Sequence, residues 1–115
     1  MTGDETAIPT VGARGLDEVF EAISEANGRP PPWSGFEHGV LGSYRWAVGC
    51  QLGGPVTAVA AVLGAAGPCP AQLVAECEAA AVRLRESRGD DADAAYALGA
   101  YRALAWLCGH HDDRP

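Results

Sequence analysis

The sequence predicts an all-α fold: a small bundle of four to five helices behind a flexible N-terminal tail. Three observations carry this expectation. Four segments repeat apolar residues at the 3.6-residue spacing of one helix face. Each is bounded by capping residues or by Gly and Pro. No segment alternates apolar and polar residues as a half-buried strand does, and no internal repeat is visible. At 115 residues the chain is one domain long, read as a tail over 1–14 and a single helical domain over 15–115.

The tail carries Thr, Gly, Asp, Glu and Pro without a period. Leu16, Val19, Phe20 and Ile23 then define the first helix, which Asn27-Gly28 stops. Residues 28–33 hold three consecutive prolines and read as an extended linker. Ser34 and Glu37 fit a capping box for a second helix reaching about Val48, ended by Gly49, with Phe36, Val40, Tyr44, Ala47 and Val48 on one face. Pro55 opens a third, short helix to about Leu63, with a loop or a buried extended piece as the other reading of this Val-rich stretch. A helix from about Pro70 to Ser87 follows, lined by Leu73, Cys77, Ala80, Ala81 and Leu84. Asp90, Asp91 and Asp93 open the last helix, because carboxylates there cap free N–H groups and meet the positive end of the dipole. A calcium loop would need a longer alternating ligand set. Gly109 closes that helix after Cys108.

Composition narrows the function. The chain has 22 Ala and 15 Gly against 8 aromatics, which favours thin cores and close helix approach. All eight basic residues are Arg, against 15 acids, for a net charge of −7. That balance offers no basic footprint, so direct nucleic-acid binding is not expected. Residues 1–14 lack the basic-then-apolar order of a secretory signal, and the longest apolar run, 56–67, is too short for a membrane span of about 20 residues. The expected location is the cytoplasm, and with it four free thiols: Cys50, Cys69, Cys77 and Cys108 form no CxxC pair, and Cys77 and Cys108 read as small core residues.

Two helix faces attract a binding hypothesis. On the second helix His38, Gly39, Gly42, Arg45 and Trp46 lie opposite the core stripe. His38 and Arg45 project together, and the glycines leave a groove beside them that suits an anion or a partner. On the last helix Leu98, Tyr101, Leu104, Ala105 and Cys108 make one apolar face, and Tyr96, Ala100, Ala103 and Leu107 carry it past half the circumference. Such a helix is the centre of the bundle or the seam of a homodimer. The interface expectation falls on Tyr96, Ala100, Ala103 and Leu107. Trp106 is left facing outward, four residues after Arg102, which suits stacking of that guanidinium on the indole. Cys108, His110, His111 and Asp112 are metal-ligand types, but adjacent ligands in a terminal segment are geometrically poor, so no metal and no cofactor are expected. No phosphate loop, nucleophile elbow or zincin motif occurs, and no catalytic residue is named.

The stretches Glu37-His38-Gly39, 44–49 and 104–110, with Asp112, Arg114 and Pro115, resemble small hypothetical proteins of actinobacteria and of their phages or mobile elements. The resemblance covers about a quarter of the chain. It implies an accessory protein and transfers no catalytic residue. The expected function is a small cytoplasmic protein-interaction or regulatory module, acting as a homodimer. Two alternatives are an acidic inhibitor that imitates nucleic acid, as anti-defence proteins do, and a small anion-binding enzyme using the His38/Arg45 face.

Overall fold

A computed structural model describes residues 10–50, 53–57, 68–87 and 92–115. Within them the chain is mostly helical. A two-stranded antiparallel hairpin, β1 (Thr10–Val11) and β2 (Arg14–Gly15), precedes four helices, α1 (Leu16–Asn27), α2 (Gly35–Ala47), α3 (Pro70–Glu86) and α4 (Ala92–Leu107). The helix starts and stops follow the chemistry expected of them. Ser34 caps α2 by accepting from the Phe36 N–H at 3.2 Å, while Glu37 accepts from the Ser34 N–H at 2.8 Å. Those hydrogen bonds favour the charged form of Glu37 and hold its carboxyl below the usual range. Pro70 takes the first turn of α3. Gly49 and Gly109, past the ends of α2 and α4, have φ of 83° and 81°, the left-handed geometry that closes a helix.

Four helices are described where four to five were expected. The short helix placed at 55–63 falls mostly outside the described residues; its opening, Pro55 to Thr57, is a turn. Buried Glu76 of α3 holds that turn, accepting from the N–H groups of Val56 and Thr57 and from Thr57 Oγ1 at 2.6 Å. Asp90 and Asp91 also lie outside the described residues, and Asp93 sits in the first turn of α4.

The 1–14 tail differs from expectation at its inner end. Residues 1–9 are outside the described set, but 10–14 are folded. Gly12, with φ of 60°, makes the two-residue hairpin turn that demands a positive φ at its first position. Val11 is buried, and the Ala13 N–H donates to the Leu107 carbonyl at 2.7 Å. The hairpin therefore seats on the C-terminal end of α4. Six residues are too few to show strand alternation, which is why the sequence reads them as tail.

At the centre α2 and α4 run side by side in the same direction, Phe36 against Gly99 and Tyr44 against Trp106. α1 packs on α2, and α3 returns along α4. The α2–α4 contact is backbone on backbone. A Cβ on Gly39 would overlap the Tyr96 carbonyl and come within 2.8 Å of the Ala100 nitrogen. One on Gly99 would overlap the Phe36 carbonyl and lie 3.0 Å from the Phe36 Cα. Gly42 is different: its Cβ would meet only the Tyr96 hydroxyl, at an ordinary 3.6 Å. No helix among the described residues is long and apolar enough to cross a membrane.

This difference sets opposite signs for one substitution. Ala in place of Gly gains about 0.5–1 kcal/mol in an open helix. At Gly39 and Gly99 the added methyl meets backbone that cannot rotate away, and overpacking costs roughly 1–3 kcal/mol or more. Gly42→Ala is expected to raise the thermal midpoint by a few degrees and Gly39→Ala and Gly99→Ala to lower it, at roughly 4 °C per kcal/mol. Calorimetry of the three variants checks this ordering.

Candidate functional site

The residues singled out on α2 and α4 separate into two groups. His38 and Arg45 are exposed and lie about 20° apart on the helical wheel. His38 packs edge-on against Trp33, ring centroids 5.5 Å apart. Gly39, Gly42 and Trp46 do not join them in an open groove. α4 fills the Gly39 side, and Trp46 is fully buried. α2 has neighbours on two sides, so its buried arc extends beyond the stripe of Val40, Tyr44 and Ala47 to Gly39, Ser43 and Trp46. Burying about 200 Å² of indole contributes about 5 kcal/mol. That exceeds the roughly 1–3 kcal/mol cost of an unpaired N–H, and Trp46 Nε1 has no partner among the described residues.

On α4 the outward Trp106 is likewise corrected: it is buried, edge-on to Tyr44 with centroids 5.9 Å apart. A guanidinium does stack on it, but from Arg14 at 4.8 Å and Arg114 at 5.9 Å rather than from Arg102. Arg102 is exposed and lines a cavity of about 270 Å³ with Tyr101, His111 and Asp113. The proposed interface residues Ala100, Ala103 and Leu107 are buried within the single chain. Tyr96 is half-buried, its hydroxyl donating to the Pro55 carbonyl at 2.9 Å. α4 is thus the central helix of the bundle, and its apolar arc does not require a second copy to cover it.

Sequence reasoning missed Arg14 and Arg114. Arg14 Nε donates to the Trp106 carbonyl at 2.7 Å and its Nη2 to the His111 carbonyl at 2.6 Å. Arg114 pairs with Glu21 at 3.4 Å and Glu25 at 3.0 Å on α1. Arg29 donates to the Pro115 carbonyl at 2.8 Å. Together they strap residues 109–115 across α1 and over Trp106. No local signal announces contacts between residues about ninety positions apart.

Beside the hairpin lies a groove of about 360 Å³. Its floor is the hairpin, residues 10–12. Its walls are Leu16 and Phe20 of α1, Ala47 and Val48 at the end of α2, and Pro70 and Leu73 at the start of α3. Among the described residues its lining carries no ionisable side chain and is mostly apolar. Phe20 stands at its rim, 50% exposed. The face of α1 beyond Phe20 carries exposed Asp17, Glu18, Glu21 and Glu25. Arg114 pairs with the last two, whereas Asp17 and Glu18 bind only helix-start N–H groups. No group of three or more His, Cys, Asp or Glu among the described residues has a metal-binding arrangement. No family model matches the chain, and no curated protein or solved structure matches it.

Arg14→Ala tests whether the hairpin is a working part of the fold. It removes two charge-assisted hydrogen bonds and a stacked cation, together worth about 1–3 kcal/mol. The expected outcome is a midpoint several degrees lower and a red shift of tryptophan emission as Trp106 meets water. An unchanged midpoint and spectrum would mean that residues 10–14 behave as free tail.

Proposed function

We propose that this chain is a protein-interaction module that takes an apolar side chain of a basic partner segment into the groove between the hairpin, α1 and α3. The observation that carries the reading is the apolar groove itself, rimmed by a half-exposed Phe20 on a helix whose outer face is acidic. A large aromatic left in water beside a concave apolar surface is the usual composition of an interface anchor. Asp17 and Glu18 favour Lys or Arg flanking the inserted residue. A net charge of −7 on each copy opposes self-association through this acidic side, so charge favours a basic partner over a second copy. Arg114 pairs with two of the four carboxylates on this face of α1 and offsets one of their four charges, which weakens the alternative of a nucleic-acid mimic. The enzyme alternative on His38 and Arg45 draws no support from a face on which His38 packs against Trp33.

Selection of peptides from a random displayed library tests the proposal. The expected winners carry an aromatic or aliphatic residue flanked by Lys or Arg, and their binding weakens with added salt. Phe20→Asp, at an exposed position that leaves the core intact, is expected to reduce their affinity tenfold or more, equivalent to about 1.4 kcal/mol or more. Selection of acidic or purely polar peptides, or of binders indifferent to Phe20→Asp, would overturn the reading. So would a concentration-dependent dimer in light scattering that Phe20→Asp dissolves, which would make a second copy the occupant.

A further inference from the structure

Residues 109–115 fold back along α4, and their course is fixed at two points. The His111 N–H donates to the Ala105 carbonyl at 3.4 Å, and the His111 carbonyl accepts from Arg14 Nη2 at 2.6 Å. Arg114 is tied to Glu21 and Glu25 of α1. Asp113 therefore sits between two anchored residues. The opening of about 270 Å³ between this segment and α4 is lined by Tyr101, Arg102, His111 and Asp113. Tyr101 Oη and His111 Nε2 are 3.4 Å apart, and the two rings stand edge-on with centroids 5.9 Å apart, so phenol and imidazole hold each other in place. Arg102 and Asp113 are exposed and hold nothing: neither makes a hydrogen bond or an ion pair among the described residues, and they line one opening without joining each other. Arg14, Arg29, Arg83 and Arg114, by contrast, are taken by carbonyls or carboxylates of the chain.

We propose that this opening is a binding site for a small zwitterion, a free α-amino acid, whose carboxylate pairs with Arg102 and whose ammonium pairs with Asp113. The charges on the lining select the class of ligand. A simple anion would meet the Asp113 carboxylate and the field of a chain of net charge −7. A simple cation would meet the Arg102 guanidinium. A molecule that carries both charges a few atoms apart leaves neither side chain unmatched, and it is neutral overall, so the acidity of the chain does not oppose it. The planar guanidinium suits a carboxylate, which it can hold through two parallel hydrogen bonds. The Tyr101 hydroxyl and the His111 ring supply uncharged donors and acceptors beside the two charges. At about 270 Å³ the opening lies below the roughly 300–1,000 Å³ of sites for larger ligands, which suits a molecule of few heavy atoms. The groove beside the hairpin shares none of these four residues.

The test titrates the isotope-labelled full chain with each of the standard L-amino acids in turn and follows the backbone amides and the Arg102 side-chain N–H by NMR. Exposed charges bind weakly in water, so the dissociation constant is expected to be about 1 mM. The signals of Tyr101, Arg102, His111 and Asp113 are expected to shift together. For an amino acid that binds, its N-acetyl derivative, which lacks the ammonium, and its amide, which lacks the carboxylate, should each bind roughly fivefold or more weakly. Arg102→Gln and Asp113→Asn should show the same loss with an unchanged thermal midpoint, because both side chains are exposed and unpaired in the free protein. Binding of none of the amino acids, equal binding of either derivative, shifts confined to other parts of the chain, or unchanged affinity in either variant would overturn the proposal. The derivatives decide on the wild-type protein even if a variant fails to fold, and no outcome depends on the partner of the groove.

Discussion

Gly39 and Gly99 set the close approach of α2 to α4. Each glycine lets the other helix's backbone enter the space that a methyl group would occupy. Helices brought this near gain dispersion contacts along their whole crossing, which compensates for cores short of large side chains. The remaining large residues are used where the helices diverge. Tyr44 and Trp106 meet edge-on toward the C-terminal end, and Trp46 is buried in the same core. An Ala- and Gly-rich composition is therefore a packing solution with a specific geometric requirement, and two positions carry most of it.

The seating of the other elements follows from that pair. α4 is enclosed by α2 on one side and α3 on the other, so its last turn offers carbonyls at one end of the bundle. The hairpin and the segment after Gly109 both use them: Ala13 binds the Leu107 carbonyl, Arg14 the Trp106 carbonyl, and His110 the Ala105 carbonyl. The hairpin, the residues after Gly109 and the Arg–Trp stack share this end because the last turn of α4 offers them its carbonyls. Gly12, Pro70 and Leu73 wall both the groove and a second opening lined by Cys108.

The sequence makes some of this legible for physical reasons. Periodicity reports which face of a helix is buried, and capping residues report where helices stop. The four helices, the Ser34–Glu37 box and the glycine stops are therefore readable from local pattern. Periodicity does not say what covers a buried face. The arc of Tyr96, Ala100, Ala103 and Leu107 fits a bundle centre and a dimer seam equally, and only the positions of α2 and α3 decide that one chain encloses it. Glycines on a helix are equally ambiguous. Gly39 and Gly42 look alike in sequence, yet one touches backbone and the other a phenol at van der Waals distance. Trp46 and Trp106 fall outside the apolar stripes by helical wheel, but a helix with two neighbours buries more than one stripe. The groove was not legible at all, because its floor and three walls come from four separate parts of the chain.

The distribution of polar groups bears on the kind of function this fold can carry. Most of its charged side chains with described partners are committed to structure. Glu76 holds the 55–57 turn, Glu18 and Glu37 cap helices, and Arg14, Arg29 and Arg114 fasten the last residues to the bundle. The groove beside the hairpin is lined, among the described residues, by groups that neither donate nor accept protons, apart from Thr10 and backbone. A surface organised in this way can select a partner by shape, apolar contact and surrounding charge.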